Sequence, residues 1–243
     1  GHAALLGNYA SNKGIIVAKY GKIFMGAGEQ ITLDFSGNGL MKVTVPTREL
    51  SSITDINGET LESLVANNGS LIAEGGYIQL SAKTAENLML GAVNVGSSSK
   101  ISTASIDHRT GNVVIGGDDN NFVNIEGNID ISSINPSTPS GALTITGTNV
   151  YYGGETNASG SNGGKISANA KKMLVLDSSI VAKGLHENGG NLIVVSEDVL
   201  LSTTQTNANM SGSINGGSIK LHADSHNLVA GTFKADGGSG QGG

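Results

Sequence analysis

The chain has no cysteine and no tryptophan among its 243 residues, and only three prolines. Without cysteine there are neither disulfides nor thiolate metal sites. The absence also suits a chain that crosses a narrow pore unfolded, where a disulfide would obstruct passage. Aromatic residues make up 4 % of the chain and charged residues 14 %. Few large rings are available to fill a deep core, so a narrow core of Val, Ile, Leu and Ala is expected. Arg48 and Arg109 are the only arginines and the formal charge is −6, which argues against nucleic acid as a partner. The lysines are scattered and form no basic amphipathic face, which argues against anionic membrane surfaces. No apolar run approaches the ~20 residues that span a bilayer. The opening "GHAALLGNYASNKG" lacks the basic start and apolar stretch of a signal peptide.

Glycine and asparagine are abundant instead: 37 glycines, and 24 asparagines by count along the sequence. The glycines recur in a pattern. "NGGKISANA" begins at Asn162, "NGGNLIVVS" at Asn188 and "NGGSIKLHA" at Asn215, steps of 188 − 162 = 26 and 215 − 188 = 27. A further 26 residues reach Gln241, in the terminal "QGG". Earlier copies are "EGGYIQLSA" from Glu74 and the single-glycine "YGKIFMGAG" from Tyr20, separated by 54, or twice 27. A period in the twenties marks a solenoid.

After each glycine, apolar residues alternate: Ile23 and Met25, Ile78 and Leu80, Ile166 and Ala168, Leu192 and Val194, Ile219 and Leu221. Period two means a strand with one buried face. "MLVLDSSIVAKG", "DVLLSTT" and "HNLVAGTFKADG" supply further strands, with turns of Gly, Asn and Ser. One coil per repeat, stacked about 4.8 Å apart, makes an all-β parallel β-helix. About nine such coils would build a rod on the order of 40 Å long. Pro46–Gly69, with Leu61, Leu64 and Val65 at helical spacing, reads as a short helical or loop excursion from the coil. Lys83–Gly96, with Leu88, Met89 and Val93, reads in the same way. Ile134–Ala142 holds two of the prolines and reads as a surface loop. Residues 1–243 otherwise form a single β-helix segment.

"GEQITLDFSGNGLMKVTV" (Gly28–Val45), followed by "LVANNGSLIAEGGYIQLSAKTAENL" (Leu64–Leu88), resembles the region just beyond the secretion domain of filamentous-haemagglutinin-like exoproteins of the two-partner secretion pathway. The resemblance implies a right-handed parallel β-helix. It also implies export from a Gram-negative bacterium through an outer-membrane transporter barrel, to a secreted or cell-surface location. The role it implies is that of an adhesin contacting a host-cell receptor or glycan. The Asn-Pro-Asn type of secretion motif is missing, since the only Asn-Pro is Asn135-Pro136. The chain therefore reads as an internal fragment just after the secretion domain.

Few residues suggest chemistry. The glycine pairs precede period-two strands rather than helices, so they read as turn punctuation and not as phosphate cradles. Asp118 and Asp119, with His108 or Arg109 nearby, are the one pattern that would suit a calcium-dependent β-helix enzyme acting on acidic polysaccharide. Adjacent acids in a Gly-Asn-rich turn are more simply solvated. His222 and His226 read as exposed side chains, because a metal-binding reading needs a helix. Asn68, Asn157 and Asn209 each begin an Asn-X-Ser glycosylation sequon. No catalytic residue, cofactor site or metal site is assigned. The expected function is a non-enzymatic, stiff rod presenting binding loops on a haemagglutinin-like exoprotein. A carbohydrate-active β-helix enzyme and the stalk of a contact-dependent toxin exoprotein are the alternatives.

Overall fold

A computed structural model describes residues 1–28, 30–33, 41–45, 63–83, 91–116 and 122–243. Every regular element among them is a β-strand. The strands stack in parallel into a β-helix with three faces, and each face carries eight described strands.

The first face is built from His2–Gly7, Lys22–Ala27, Tyr77–Ala82, Asn112–Gly116, residues 142–147, residues 165–170, Asn191–Ser196 and Ser218–Ala223. The second runs from Ala10–Asn12 through Ser63–Asn67, Gly91–Val95 and Phe122–Ile125 to His226–Val229. The third runs from Ile15–Val17 through Ser70–Ile72, Lys100–Ser102 and Asn128–Asp130 to Thr232–Lys234. In the fifth and sixth coils the strands Ala142–Asn157 and Lys165–Val181 continue unbroken around all three faces.

The alternation read from the sequence sets the register. Ile23 stacks on Ile78 and Met25 on Leu80. Leu192 lies between Ile166 and Ile219, and Val194 between Ala168 and Leu221. These rungs are fully buried through the body of the rod, while Ile219 and Leu221 in the eighth coil are only partly so. The third face has room for one inward side chain per three-residue strand, such as Ile101, Ile129 or Ile180. In the fifth coil that place is taken by Thr156, whose hydroxyl lies 2.7 Å from that of the fully buried Tyr152. Each satisfies the other's hydrogen-bonding group, which allows two polar atoms into an aliphatic core.

The count of coils differs from nine because the early spacing misleads. Tyr20 and Glu74 stand in adjacent coils, with Lys22 opposite Tyr77. The intervening residues include an antiparallel pair, Gln30–Leu33 with Met41–Val45, that belongs to no face of the coil. Met41–Val45 lies against Lys22–Ala27 and Tyr77–Ala82. On those strands even outward residues are buried: Phe24 completely, Gln79 and Ser81 nearly so. Two coils that enter through a single glycine, at Gly111 and Gly141, complete the stack.

The helical reading of the excursions is corrected where they are described. Leu64 and Val65 belong to the strand Ser63–Asn67, with Val65 stacked between Ala10 and Val93. Val93 is likewise in a strand, Gly91–Val95. Pairing with neighbouring coils overrides local spacing here. Leu61, Leu88 and Met89 lie outside the described residues. Ile134–Ala142 is irregular down to Gly141, and Ala142 opens the next strand. Ile134 is exposed, but Thr138 and Ser140 are buried and donate hydrogen bonds to the Asp107 and Ile131 carbonyls at 3.0 and 2.8 Å.

The paired glycines have a steric cause. A Cβ on Gly76, Gly164, Gly190 or Gly217 would sit under 3.0 Å from the carbonyl oxygen of the corner glycine one coil earlier. A Cβ on Gly163, Gly189 or Gly216 would instead strike the coil that follows. The first glycine of a pair thus touches the next coil and the second the previous one. Beside them the side-chain oxygens of Asn162, Asn188 and Asn215 form a ladder, accepting the Asn188 backbone N–H, the Asn215 Nδ2 and the Gln241 backbone N–H at 3.2, 2.8 and 2.9 Å.

Candidate functional site

Asp118 and Asp119 lie outside the described residues. Their suggested companion Arg109 packs on Tyr20. Its guanidinium lies 4.5 Å from the centre of the Tyr20 ring, and Lys19 Nζ lies 5.0 Å from the same ring. Lys19 also pairs with Glu74 at 3.2 Å, a contact that holds the ammonium above its usual pKa range. Asp107 accepts the Arg109 backbone N–H at 2.9 Å and the Ser105 hydroxyl at 3.1 Å. These bonds lower the pKa of its carboxyl. The group clamps successive coils together around Tyr20, a residue with a φ of 53°. His108 is exposed beside this clamp.

His222 and His226 are both exposed and lie on different faces of the last coil. His222 Nε2 is 3.0 Å from Asp224 Oδ1. Among the described residues no three His, Cys, Asp or Glu side chains converge as a metal site.

The sequons have structural roles. The Oδ1 of Asn157 accepts the Ser159 N–H at 3.2 Å, and that of Asn209 accepts the Ser211 N–H at 3.1 Å. These Asx turns end strands of the third face. The two serine hydroxyls in turn accept the N–H of Lys183 and of Asp236, one coil further on. Asn68 is exposed in the turn between Ser63–Asn67 and Ser70–Ile72.

A concavity on the third face is lined by one residue that the sequence motifs singled out, the sequon Asn157. It is an open trough of about 570 Å³. Its floor is the backbone around Ile129 and Thr156, whose side chains point inward. Two columns of outward side chains line it. Lys100, Asn128, Glu155 and Ser179 form one, aligned rung by rung, and Asp130, Asn157 and Val181 form the other. Asp130 Oδ1 accepts both the N–H and the hydroxyl of Ser132, at 3.1 and 2.6 Å. The side chains of Lys100, Asn128 and Glu155 have no partner among the described residues. Their spacing, 128 − 100 = 28 and 155 − 128 = 27, is one coil per step and is the only sequence signal of the column.

No helix among the described residues is long and apolar enough to cross a membrane. No protein-family model matches the chain, and no curated protein matches it. Fold and surface therefore define the class by themselves: a parallel β-solenoid with an aliphatic interior and a polar, glycine-cornered exterior.

Proposed function

We propose that the chain is a non-enzymatic, rod-forming part of a large haemagglutinin-like exoprotein, holding adhesive surfaces away from a Gram-negative cell. The observation that carries this reading is the contrast between inside and outside. The inward rungs repeat with little change from coil to coil, whereas outward residues at matching positions change type, as in Lys165, Asn191 and Ser218. Such a solenoid is stable through neighbour contacts alone, which leaves its exterior free to vary. The resemblance of Gly28–Val45 and Leu64–Leu88 to exoproteins of two-partner secretion supports a secreted or cell-surface location and export through an outer-membrane barrel. Coils that stack one on another would also make folding outside the membrane oppose back-sliding.

The test is display of the complete reading frame, with its candidate transporter barrel, on a non-adherent Gram-negative host. Cells displaying it should adhere to epithelial monolayers and leave acidic polysaccharides uncleaved, with or without calcium. Polysaccharide cleavage abolished by Asp118→Ala or Asp119→Ala would overturn the proposal, and so would display without adherence.

A further inference from the structure

We infer that the third-face trough is a binding site for an extended, neutral glycan lying along the rod axis. The inference builds on the adhesive reading above and supplies a ligand class and a place for it.

The trough crosses four coils, from Lys100 in the third to Ser179 in the sixth. Its functional groups repeat on the rung spacing of about 4.8 Å, in two columns two residues apart. A ligand that meets several of them must itself be extended and repetitive. A chain of pyranose rings presents hydroxyls on nearly that repeat.

Chemistry narrows the class. Lys100 only donates, Glu155 only accepts, and the amide of Asn128 does both. The Oδ1 of Asn157 is taken by its Asx turn, which leaves its Nδ2 as a donor. Sugar hydroxyls, being donors and acceptors at once, satisfy such a mixed array, and a ligand of uniform charge does not. One lysine against Asp130 and Glu155 leaves the trough with a formal charge of 1 − 2 = −1, which disfavours a sulfated or uronic acid polymer.

A peptide strand is also disfavoured. Strand addition needs the free edge of a sheet. The trough floor is a sheet face, and its backbone groups are already bonded between coils 100–102, 128–130, 155–157 and 179–181. Recognition there is by side chains alone. With no aromatic platform in the trough, binding is weak per site and gains from repeated presentation on a surface.

The experiment is an amide chemical-shift titration of the whole 243-residue chain. The probes are neutral hexasaccharides of β-1,4-linked glucose and of β-1,4-linked N-acetylglucosamine, with a heparin hexasaccharide as the polyanion. At least one neutral probe should give saturable shifts confined to Lys100–Ser102, Asn128–Asp130, residues 155–157 and residues 179–181. Asn128→Ala and Glu155→Gln, both at exposed positions, should each weaken that binding about tenfold. Asn191→Ala on the first face should leave it unchanged. If both neutral probes leave these amides unmoved, shift other faces instead, or are outdone by heparin, the inference fails. Cell adherence is measured separately, so a silent trough on an adherent rod would sink this inference while leaving the proposed function intact.

Discussion

Gly217 lies directly against the carbonyl oxygen of Gly190, its counterpart one coil earlier, with no room for a Cβ between them. Neither glycine is in the left-handed region, so the requirement is for close approach and not for an unusual torsion. Gly217→Ala and Gly190→Ala should each destabilise the fold by about 2–4 kcal/mol, since backbone, not a flexible side chain, would have to move. Gly14→Ala, where the nearest atom to the new methyl is 3.8 Å away, should change stability by less than about 1 kcal/mol. Urea unfolding followed by circular dichroism compares them.

Leu192→Asp places an unpaired carboxylate in a fully buried rung and should cost about 4 kcal/mol or more. Sequence alone makes Ile219 its equal. The structure separates them, because Ile219 is only partly buried in the eighth coil and a carboxylate there reaches water. Ile219→Asp should cost roughly half as much or less. Asn191→Asp keeps the acceptor for the Ser218 hydroxyl, 2.7 Å away, and should be nearly neutral. Equal thermal midpoints for Leu192→Asp and Ile219→Asp would contradict the observed burial.

Tyr20 takes the turn position that Gly75 occupies one coil later, and both have positive φ, 53° and 57°. A left-handed tyrosine costs about 1–2 kcal/mol, offset here by two cations on its ring. Tyr20→Ala loses the ring but keeps the strain, whereas Tyr20→Gly loses both. Glycine should therefore be the more stable replacement by about 1 kcal/mol, measured by denaturant unfolding.

Burial pushes the Tyr77 phenol up to about 12, and Tyr152 is raised by the same cause. An unfolded tyrosine titrates near 10. The stability gained by keeping these phenols neutral is complete below about pH 10 and is lost as pH rises through their folded values. The urea midpoint should fall steeply between pH 10 and 12. Tyr77→Phe should flatten that fall while leaving the unfolding free energy at pH 7 within about 1 kcal/mol of the parent.

The parts of the fold visible in the sequence are those where one residue type recurs at one depth. Asn162, Asn188, Asn215 and Gln241 announce the corner, and Leu192 and Val194 announce the rungs, because every coil repeats the same steric demand at those points. Tyr20 and Glu74 misled because a separation of 54 residues suits two coils as well as one coil with an excursion. Leu64 and Val65 misled because a short apolar run fits either period until its partners, Ala10 and Val93, are known. The trough was hidden for a different reason. Its outward residues are under no common packing constraint, so Lys100, Asn128 and Glu155 share a column without sharing a chemistry.

Between Ala27 and Ser63 the strands Gln30–Leu33 and Met41–Val45 pair with each other, yet Met25 still stacks on Leu80 and Ala10 on Val65. The junction between the first and second faces is thus a docking port at which foreign sequence can be spliced without retuning the scaffold. Its counterpart between Ser196 and Val199, in the seventh coil, is the natural place to graft an epitope or a reporter.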